Sequence, residues 1–387
     1  MKGIRMILFF LTFFVVYGLL NYYIFIRGWQ AIAGIGLPGI KATFIVLFVF
    51  FNFSYFIARM AGKFLPSGVT DFFAFSGGMW FAGMLYFMLL IISFDIIRVV
   101  GNSLSIFPDL LKNNWQTVKI VVFFASLVFV ISIITLGYIN AQKIKIKNLT
   151  FDIPKPANGA KDLHLVFASD IHLGHVIDRD FLQQIVDSIN NLKPDIILFP
   201  GDIVDEELHP VVDKNLGELF TQLKAPLGIF AVTGNHEYIG GAEPAVKYLS
   251  QYGITFIRDS VIKIDDSFYL AGREDLMRGT FSGEKRKPLR EILSGNIDGL
   301  PIILMDHQPV SLSEAAENNI DLQISGHTHH GQMWPLHLIT ERVFKLSWGY
   351  KKIGNSHFYV SSGAGTWGPR VRVGNNPEIV SIKLRFL

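Results

Sequence analysis

The run Gly326-His327-Thr328-His329 comes just after a short apolar segment, residues 322–324. Four earlier fragments place Asp, Asn or His after an apolar run in the same way: Asp170-Ile171-His172, Gly201-Asp202, Gly234-Asn235-His236-Glu237 and His307. Short runs of Val, Ile, Leu and Phe bounded by Gly, Pro or Asp indicate strands buried on both faces, and helical patterns lie between several of them. We therefore predict an α/β fold whose polar groups gather at one edge of a sheet, outside the carboxyl ends of its strands.

The residue types at these strand ends are those of a metal centre. Carboxylate, amide carbonyl and imidazole groups together suit Mn, Fe or Zn better than Ca or Mg, and the chain has no cysteine that would favour thiolate chemistry. Two ions about 3.5 to 4 Å apart need a bridging group, which a carboxylate with two oxygens can supply. Asp202 is the natural bridge, so the sequence predicts a centre of two divalent metal ions.

In order and residue type, the five fragments resemble those of the calcineurin-like metallophosphoesterase family, over about residues 160 to 365. The resemblance implies a four-layer α/β/β/α sandwich with two bound divalent ions, of which manganese is favoured. It also implies a ligand set around a shared Asp202: Asp170, His172 and His329 for one ion, and Asn235, His307 and His327 for the other. His236, beside the metal-binding Asn235, would be the catalytic residue that protonates the leaving group.

The reaction implied by this resemblance is hydrolysis of a phosphate ester by in-line attack of a metal-bound hydroxide on phosphorus. We favour a phosphodiester or pyrophosphate bond of a lipid-linked substrate, because apolar segments that precede the domain would anchor it to a membrane. Two other functions stay open on the sequence. One is a phosphomonoesterase such as a protein phosphatase, because those relatives share the motifs. The other is a non-catalytic membrane sensor or transporter with a metal-binding domain, although every expected ligand and the proton donor are present.

Several polar residues in the same region have a structural and a functional interpretation. Asn235 alone would read as a helix cap. His175 follows His172 on one loop and could reach substrate, whereas His209 carries no functional indication and is expected to be structural or exposed. Arg372, in the Gly- and Trp-rich segment 363–374, could place a guanidinium on a phosphate or be solvated.

The N-terminal part of the chain predicts a multi-pass membrane protein. It has four apolar, Phe-rich stretches at about residues 6–26, 42–58, 72–97 and 118–139. Most reach the roughly 18 to 20 residues needed to cross a bilayer core about 30 Å thick, and the second reaches that length only with its flanking residues. These stretches are apolar on all faces, unlike the surface helices of a soluble protein. We predict three parts: a membrane domain at residues 1–142, an opening strand and link at 143–162, and the metallophosphoesterase domain at 163–387.

Charge gives a weaker indication of topology and partners. With four crossings, seven basic residues fall on the side of the catalytic domain and five on the other, which favours the cytoplasmic side for catalysis. The formal charge is +6 for residues 1–142 and −3 for the remainder, so a nucleic-acid partner is not expected. The lipid bilayer is an expected partner, and a domain tied to it meets lipid-linked phosphate esters at high effective concentration. Oligomeric state stays open.

Overall fold

The computed structural model describes residues 2–295 and 298–387 and divides into two compact units, Met1–Gly137 and Tyr138–Leu387. The two units are defined by the contacts among their own residues and not by function. The functional boundaries predicted at residues 142 and 162 therefore stay predictions. The first unit is helical. The second consists of two mixed β-sheets with helices.

Four long apolar helices make up the first unit and continue into the connection to the second: α1 (Lys2–Ile32), α2 (Pro38–Ala61), α3 (Ser67–Ser103) and α5 (Trp115–Ala141), with the short α4 (Asp109–Asn113) between the last two. The apolar segments run over Leu11–Ile32, Pro38–Phe64, Ser67–Ser103 and Trp115–Ala141, each long enough to cross a membrane. The prediction of four such helices is confirmed, and the helices are longer than the apolar stretches that predicted them.

Small residues and one charge cluster characterise the packing of these helices. A Cβ at Gly77 of α3 would lie 2.3 Å from the backbone nitrogen of Tyr55 in α2, so the two helices approach closely only because Gly77 has no side chain. Asp95 of α3 pairs with Arg27 of α1 at 2.5 Å and with Arg98 at 3.5 Å. Two guanidinium groups thus neutralise this carboxylate near the C-terminal ends of α1 and α3.

The first sheet of the second unit has six strands in the order β1-β12-β2-β3-β4-β5. Their bounds are β1 (Lys145–Ile153), β2 (Asp162–Phe167), β3 (Ile196–Pro200), β4 (Ile229–Val232), β5 (Thr255–Phe256) and β12 (Glu378–Phe386). Strands β2 to β5 are parallel to one another, and β12 runs antiparallel to β2 but parallel to β1. The first and last strands of the unit therefore pair directly, with Lys145 opposite Glu378.

The second sheet has the order β10-β11-β9-β8-β7-β6. Its strands are β6 (Ser260–Ile264), β7 (Phe268–Gly272), β8 (Ile302–Met305), β9 (Leu322–Ser325), β10 (Gly349–Ile353) and β11 (Ser356–Val360). The four central strands are parallel, and an antiparallel strand closes each edge.

Three buried apolar clusters arrange these elements in layers. One joins the facing surfaces of the sheets, for example Leu198 of β3 and Leu270 of β7. A second packs helix α6 (Arg179–Leu192) on the outer face of the first sheet through residues such as Ile185. The third covers the outer face of the second sheet and includes Leu312. Each fully buried Leu or Ile contributes about 1.5 to 3 kcal/mol, and the predicted α/β class with two facing sheets flanked by helices is confirmed.

The remaining helices are short, and most lie in the connections between strands: α7 (His209–Asp213), α8 (Asn235–Gly240), α9 (Ala242–Ser250), α10 (Arg278–Phe281), α11 (Leu289–Ile292), α12 (Leu312–Glu317), α13 (His337–Val343) and 3-10 turns at Gly62–Phe64, Leu216–Gln222 and His329–Gly331. The five polar fragments follow the carboxyl ends of β2, β3, β4, β8 and β9. Strands from both sheets therefore present their polar ends to the site described next.

Candidate metal centre

Two groups of potential metal ligands lie side by side at these strand ends. Asp170, His172 and His329 form one group, and Asp202, His307 and His327 the other, with the ligand atoms of each group within 4.8 Å of one another. In the first, the Nε2 atoms of His172 and His329 are 3.0 Å apart. In the second, His307 Nε2 lies 3.1 Å from Asp202 Oδ2. Such separations suit donors that face a common cation.

Asn235 and Asp202 complete and connect the two groups. The side-chain carbonyl of Asn235 lies 3.1 Å from His307 Nε2 and 2.7 Å from His327 Nδ1. Asp202 Oδ2, next to His307, is also 3.9 Å from His172 Nε2 of the first group. The structure thus brings all seven predicted ligand residues together, with Asp202 between the groups. Their assignment to two ions remains a proposal.

A buried oxygen provides a test of whether a cation fits here. Asp170 Oδ2 is inaccessible to solvent and has no hydrogen-bond partner among residues 2–295 and 298–387. Burial raises the pKa of this carboxyl group and lowers that of the His329 imidazole well below its usual value, which leaves the imidazole neutral. A buried carboxylate oxygen beside a neutral imidazole is costly unless a positive charge accompanies it. The donor set therefore fits divalent cations.

The backbone of the site is held in an uncommon conformation. Five of the ligand residues have a left-handed φ between 47° and 72°: Asp170, His172, Asp202, His327 and His329. For residues other than glycine this conformation costs on the order of 1 to 3 kcal/mol each and persists only where surrounding contacts impose it. Hydrogen bonds between the loops do so here, from the Asp170 nitrogen to the Gly201 carbonyl and from the His172 nitrogen to the Asp202 carbonyl, both 3.1 Å.

Two glycines of the motifs leave room for the carboxylates. A Cβ at Gly326 would lie 2.1 Å from Asp170 Oδ2, and a Cβ at Gly234 would lie 2.1 Å from Asp202 Oδ1. Both distances are far below van der Waals contact. Any side chain at these positions would displace a predicted ligand, which explains the residue type without any need for a special backbone angle.

His236, the predicted proton donor, is the second residue of α8 and is 6% exposed. Its Nδ1 lies 2.9 Å from Asp205 Oδ1, a partner that the sequence analysis did not identify. Burial alone lowers the pKa of His236, but the carboxylates of Asp202 and then Asp205 outweigh it and raise the pKa to about 9. The protonated imidazole is therefore stabilised beside the candidate metal centre, as a proton donor requires.

Glu237 belongs to one of the five fragments, but its role was not predicted from the sequence. It is 2% exposed, and its carboxylate accepts hydrogen bonds from the backbone nitrogens of Asp202 at 3.0 Å, Val204 at 2.9 Å and Gly234 at 2.7 Å. It thereby fixes the loop that carries Asp202 to the start of α8. The short spacings from Asp202 to Asp205 and from Asn235 to Glu237 are the only features of the sequence that could have suggested either residue.

The arginines of segment 363–374 are not placed as a phosphate contact would require. The Arg372 side chain is completely buried, and its Nη2 donates to the carbonyls of Ser362 and Gly365, both at 2.7 Å. Arg370 pairs with Asp178 at 2.7 Å. Arg372 therefore supports the loops behind His329 and is not solvated, so neither sequence-based interpretation of it describes its role.

The fold and the donor set define a metallophosphoesterase domain, and comparison with known proteins agrees. A family model described as calcineurin-like phosphoesterase matches residues 163–331. A Helicobacter pylori protein named as an uncharacterized metallophosphoesterase is 34% identical over 229 residues, 58% of this chain and 60% of that protein. An Aquifex aeolicus protein of the same name is 30% identical over 258 residues, 64% of this chain and 95% of that protein. The chain belongs to the calcineurin-like phosphoesterase family.

A third relative combines such a domain with membrane segments. The Danio rerio protein named transmembrane protein with metallophosphoesterase domain is 32% identical over 264 residues, 64% of this chain and 59% of that protein. The chain thus spans about 60% of the length of the Helicobacter pylori and Danio rerio relatives. Together with the four apolar helices, this similarity indicates a membrane protein.

Proposed function

We propose that this protein is a membrane-anchored, two-metal phosphoesterase that hydrolyses a phosphodiester or pyrophosphate bond. The observation that carries the proposal is the position of Asp202, whose Oδ2 lies 3.1 Å from His307 and 3.9 Å from His172 and so faces both ligand groups. A carboxylate between two groups of imidazole donors suits a bridged pair of ions. When bound, two such ions neutralise phosphoryl oxygens and lower the pKa of water toward 7.

One residue of the chain, His236, is placed to move the proton. His236 lies next to the first ligand group, with its ring centre 4.6 Å from that of His172. Its Nδ1 pairs with Asp205 at 2.9 Å, so we assign to Nε2 the donation of a proton to the leaving oxygen as the bond to phosphorus breaks. Such a donor contributes about 10²- to 10⁴-fold to the rate. The donor set suits Mn, Fe or Zn, and we favour Mn.

An exposed apolar surface near the centre supports a lipid-linked substrate. We define the apolar rim as six side chains that are between 44% and 68% exposed: Trp334, Leu338, Ile339, Val343, Trp348 and Trp367. Trp367 lies 6.2 Å from the ring of His236, measured between ring centres. Large exposed apolar groups that border a site are typical of surfaces that contact lipid or protein.

The surroundings of the apolar rim favour lipid. Four exposed basic residues lie between members of the apolar rim in the sequence: Arg342, Lys345, Lys351 and Lys352. Their positive charges complement anionic lipid headgroups. Tryptophan and basic side chains together are typical of the membrane interface. Residues 142–144 alone connect the last apolar helix to β1, so the domain is tethered close to a bilayer. We propose that this is the cytoplasmic side, on the excess of basic residues there.

The activity is tested with the full chain in nanodiscs, stripped of metal and then supplied with Mn²⁺. Hydrolysis of bis(p-nitrophenyl) phosphate is compared with that of p-nitrophenyl phosphate for the wild type, Asp202→Ala, His236→Ala and the control Asp180→Asn, whose side chain is exposed. We expect metal-dependent cleavage of the diester that Asp202→Ala abolishes, His236→Ala lowers and Asp180→Asn retains. Preference for the monoester would favour a phosphomonoesterase. Binding of two ions without turnover of either compound would favour a sensor.

The lipid-linked substrate has a separate test. Leu338→Ser/Ile339→Ser is compared with Val212→Ser/Val310→Ser, a matched pair of apolar residues, each 45% exposed, that lies outside the apolar rim. The substrates are a lipid pyrophosphate in nanodiscs of phosphatidylglycerol and phosphatidylcholine, and the soluble diester. We expect the first variant to lose most activity on the lipid and to retain activity on the soluble diester. Equal activity of both variants on the lipid would contradict a role of the apolar rim.

A further inference from the structure

We infer that the loops after β2 and β3 form a third divalent-cation site, separate from the two ligand groups described above. Its ligands are His175, Glu207 and His209, whose donor atoms all lie within 4.8 Å of one another. Glu207 Oε2 is 3.7 Å from His175 Nε2 and 3.5 Å from His209 Nδ1. The imidazole rings face each other edge to face, with centres 5.4 Å apart. The Glu207 carboxylate oxygen thus lies within 3.7 Å of one ring nitrogen of each histidine.

The spacing matches that of the binuclear centre in the same structure. There, neighbouring donors such as His329 Nε2 and Asp170 Oδ1 are 3.5 Å apart, and His172 Nε2 and Asp202 Oδ2 are 3.9 Å apart. Donors bound tetrahedrally at about 2.0 to 2.1 Å from zinc lie somewhat more than 3 Å from one another. The two distances from Glu207 to the imidazole nitrogens, 3.7 and 3.5 Å, therefore need to shorten by only a few tenths of an ångström for the three residues to bind one ion.

The ligand set indicates the kind of cation. Two imidazoles and one carboxylate are the three protein ligands of several open zinc sites, in which water or substrate takes the remaining position. Imidazole suits Zn better than Mg or Ca. Asp205 and Glu206 precede Glu207 in sequence, so three consecutive acidic residues add negative potential that favours a cation.

The backbone holds the two loops in alignment. The Leu173 nitrogen donates to the Ile203 carbonyl, and the Asp205 nitrogen donates to the Leu173 carbonyl, both at 2.9 Å. His175 therefore continues the loop that carries His172, and Glu207 the loop that carries Asp202. Three peptide units of about 3.8 Å each separate His175 from His172, so their Cα atoms are at most about 11 Å apart and the third site is close to the first ligand group.

Access to solvent also suits an exchangeable ion. The side chains of His175, Glu207 and His209 are 13%, 32% and 42% exposed, so the group lies at the surface and an ion bound there would keep an open side. Water or an oxygen of a phosphate ester would take the free position. This inference concerns the binding of one further ion and not turnover; only the expected total of three ions rests on the proposed two-metal centre.

The experiment counts metal ions. The full chain is stripped of metal, dialysed against buffered Zn²⁺ in detergent, and analysed for zinc by mass spectrometry, with chain concentration from amino-acid analysis. The variants are His175→Ala/His209→Ala and Glu207→Gln. The second keeps the size and shape of the side chain, so that a loss of zinc is not due to a loss of folding. His164→Ala/His337→Ala is the matched control, because neither histidine belongs to a ligand group. Melting temperatures establish that each variant is folded.

We expect three zinc ions per chain in the wild type and the control, and two in both site variants. Asp202→Ala should lose zinc from the binuclear centre and keep the ion at His175, which separates this inference from the proposed function. The inference is overturned if the site variants bind as many ions as the wild type. In that outcome Glu207 is only an ion-pair partner of the two imidazoles.

Discussion

Asp205 Oδ1 lies 2.9 Å from His236 Nδ1, so the proposed proton donor is held by a carboxylate that is not itself a proposed metal ligand. The same oxygen lies 3.4 Å from His172 Nδ1. Asp205→Asn keeps the size of the side chain but removes the charge that orients His236 and stabilises its protonated form. We expect kcat to fall about 10- to 100-fold, with a smaller effect on KM. Steady-state kinetics on the full chain at saturating metal measure both.

The leaving group separates a role in proton donation from a merely structural one. A p-nitrophenolate leaves without much need of a proton, whereas an alkoxide must be protonated as it leaves. Asp205→Asn should therefore slow an alkyl diester more than bis(p-nitrophenyl) phosphate, and His236→Ala should show the same order. Equal losses on both substrates would indicate that Asp205 acts only through His172 and the metal.

Gly326 offers a way to perturb the centre without changing a ligand. Its Cβ would lie 2.1 Å from Asp170 Oδ2 and 2.6 Å from Ser169 Oγ, so Gly326→Ala must displace the carboxylate. We expect metal affinity of the first group to fall at least about tenfold, by analogy with the loss of residues that orient ligands. Equilibrium dialysis against limiting Mn²⁺ measures it.

Gly279→Ala is the control for that substitution, because the nearest atom to its Cβ would be 3.9 Å away. Glycine to alanine in a helix is neutral or stabilising where space allows. Unchanged metal binding in Gly326→Ala would show that the loop after β9 shifts freely, against the tight packing of Gly326 on Asp170.

Sequence patterns predicted the parts of this protein that depend on local order. Each ligand fragment follows an apolar strand directly, so its position at a sheet edge follows from the strand that precedes it. The direct pairing of β1 with β12 could not be foreseen, because Lys145 and Glu378 are far apart in sequence and a hydrogen-bonded register leaves no local mark. The functional boundaries between the parts of the chain stay predictions.

Side-chain partners were the least predictable feature. Asp205 and Glu237 are common residue types on loops, and their roles depend on how two loops are aligned. His209 is exposed, as expected, and no pattern in the sequence indicated that it shares a carboxylate with His175 from another loop. Arg372 lies in a polar, Gly-rich segment, which says nothing of whether its side chain turns toward solvent or inward.

The stability of the metal-free protein should depend on the protonation of His236. Its pKa rises from 6.5 to about 9 on folding, so the protonated form is bound more tightly by the folded state. This stabilisation is fully present below the unfolded pKa of 6.5 and is lost as pH rises through about 9. Relative to His236→Asn, the wild-type melting temperature should be highest near pH 6 and lose that advantage by about pH 10. Thermal unfolding of both metal-free full chains across this range measures the difference, and a constant difference would contradict it.

Arg372 should be a major determinant of folding in the catalytic unit. Its buried guanidinium satisfies the carbonyls of Ser362 and Gly365 at 2.7 Å, and burial lowers its pKa to about 10. Arg372→Met leaves these acceptors unpaired and should destabilise the fold by about 3 kcal/mol or more, since each hydrogen bond to a charged group contributes about 1.5 to 3 kcal/mol. Arg372→Lys keeps the charge but not the planar guanidinium group and should recover little of the lost stability.

The control is Arg385→Met, at an exposed ion pair with Asp152, which should destabilise the fold by less than about 1 kcal/mol. Melting temperatures decide, and an Arg372→Met chain as stable as Arg385→Met would show that water replaces the guanidinium.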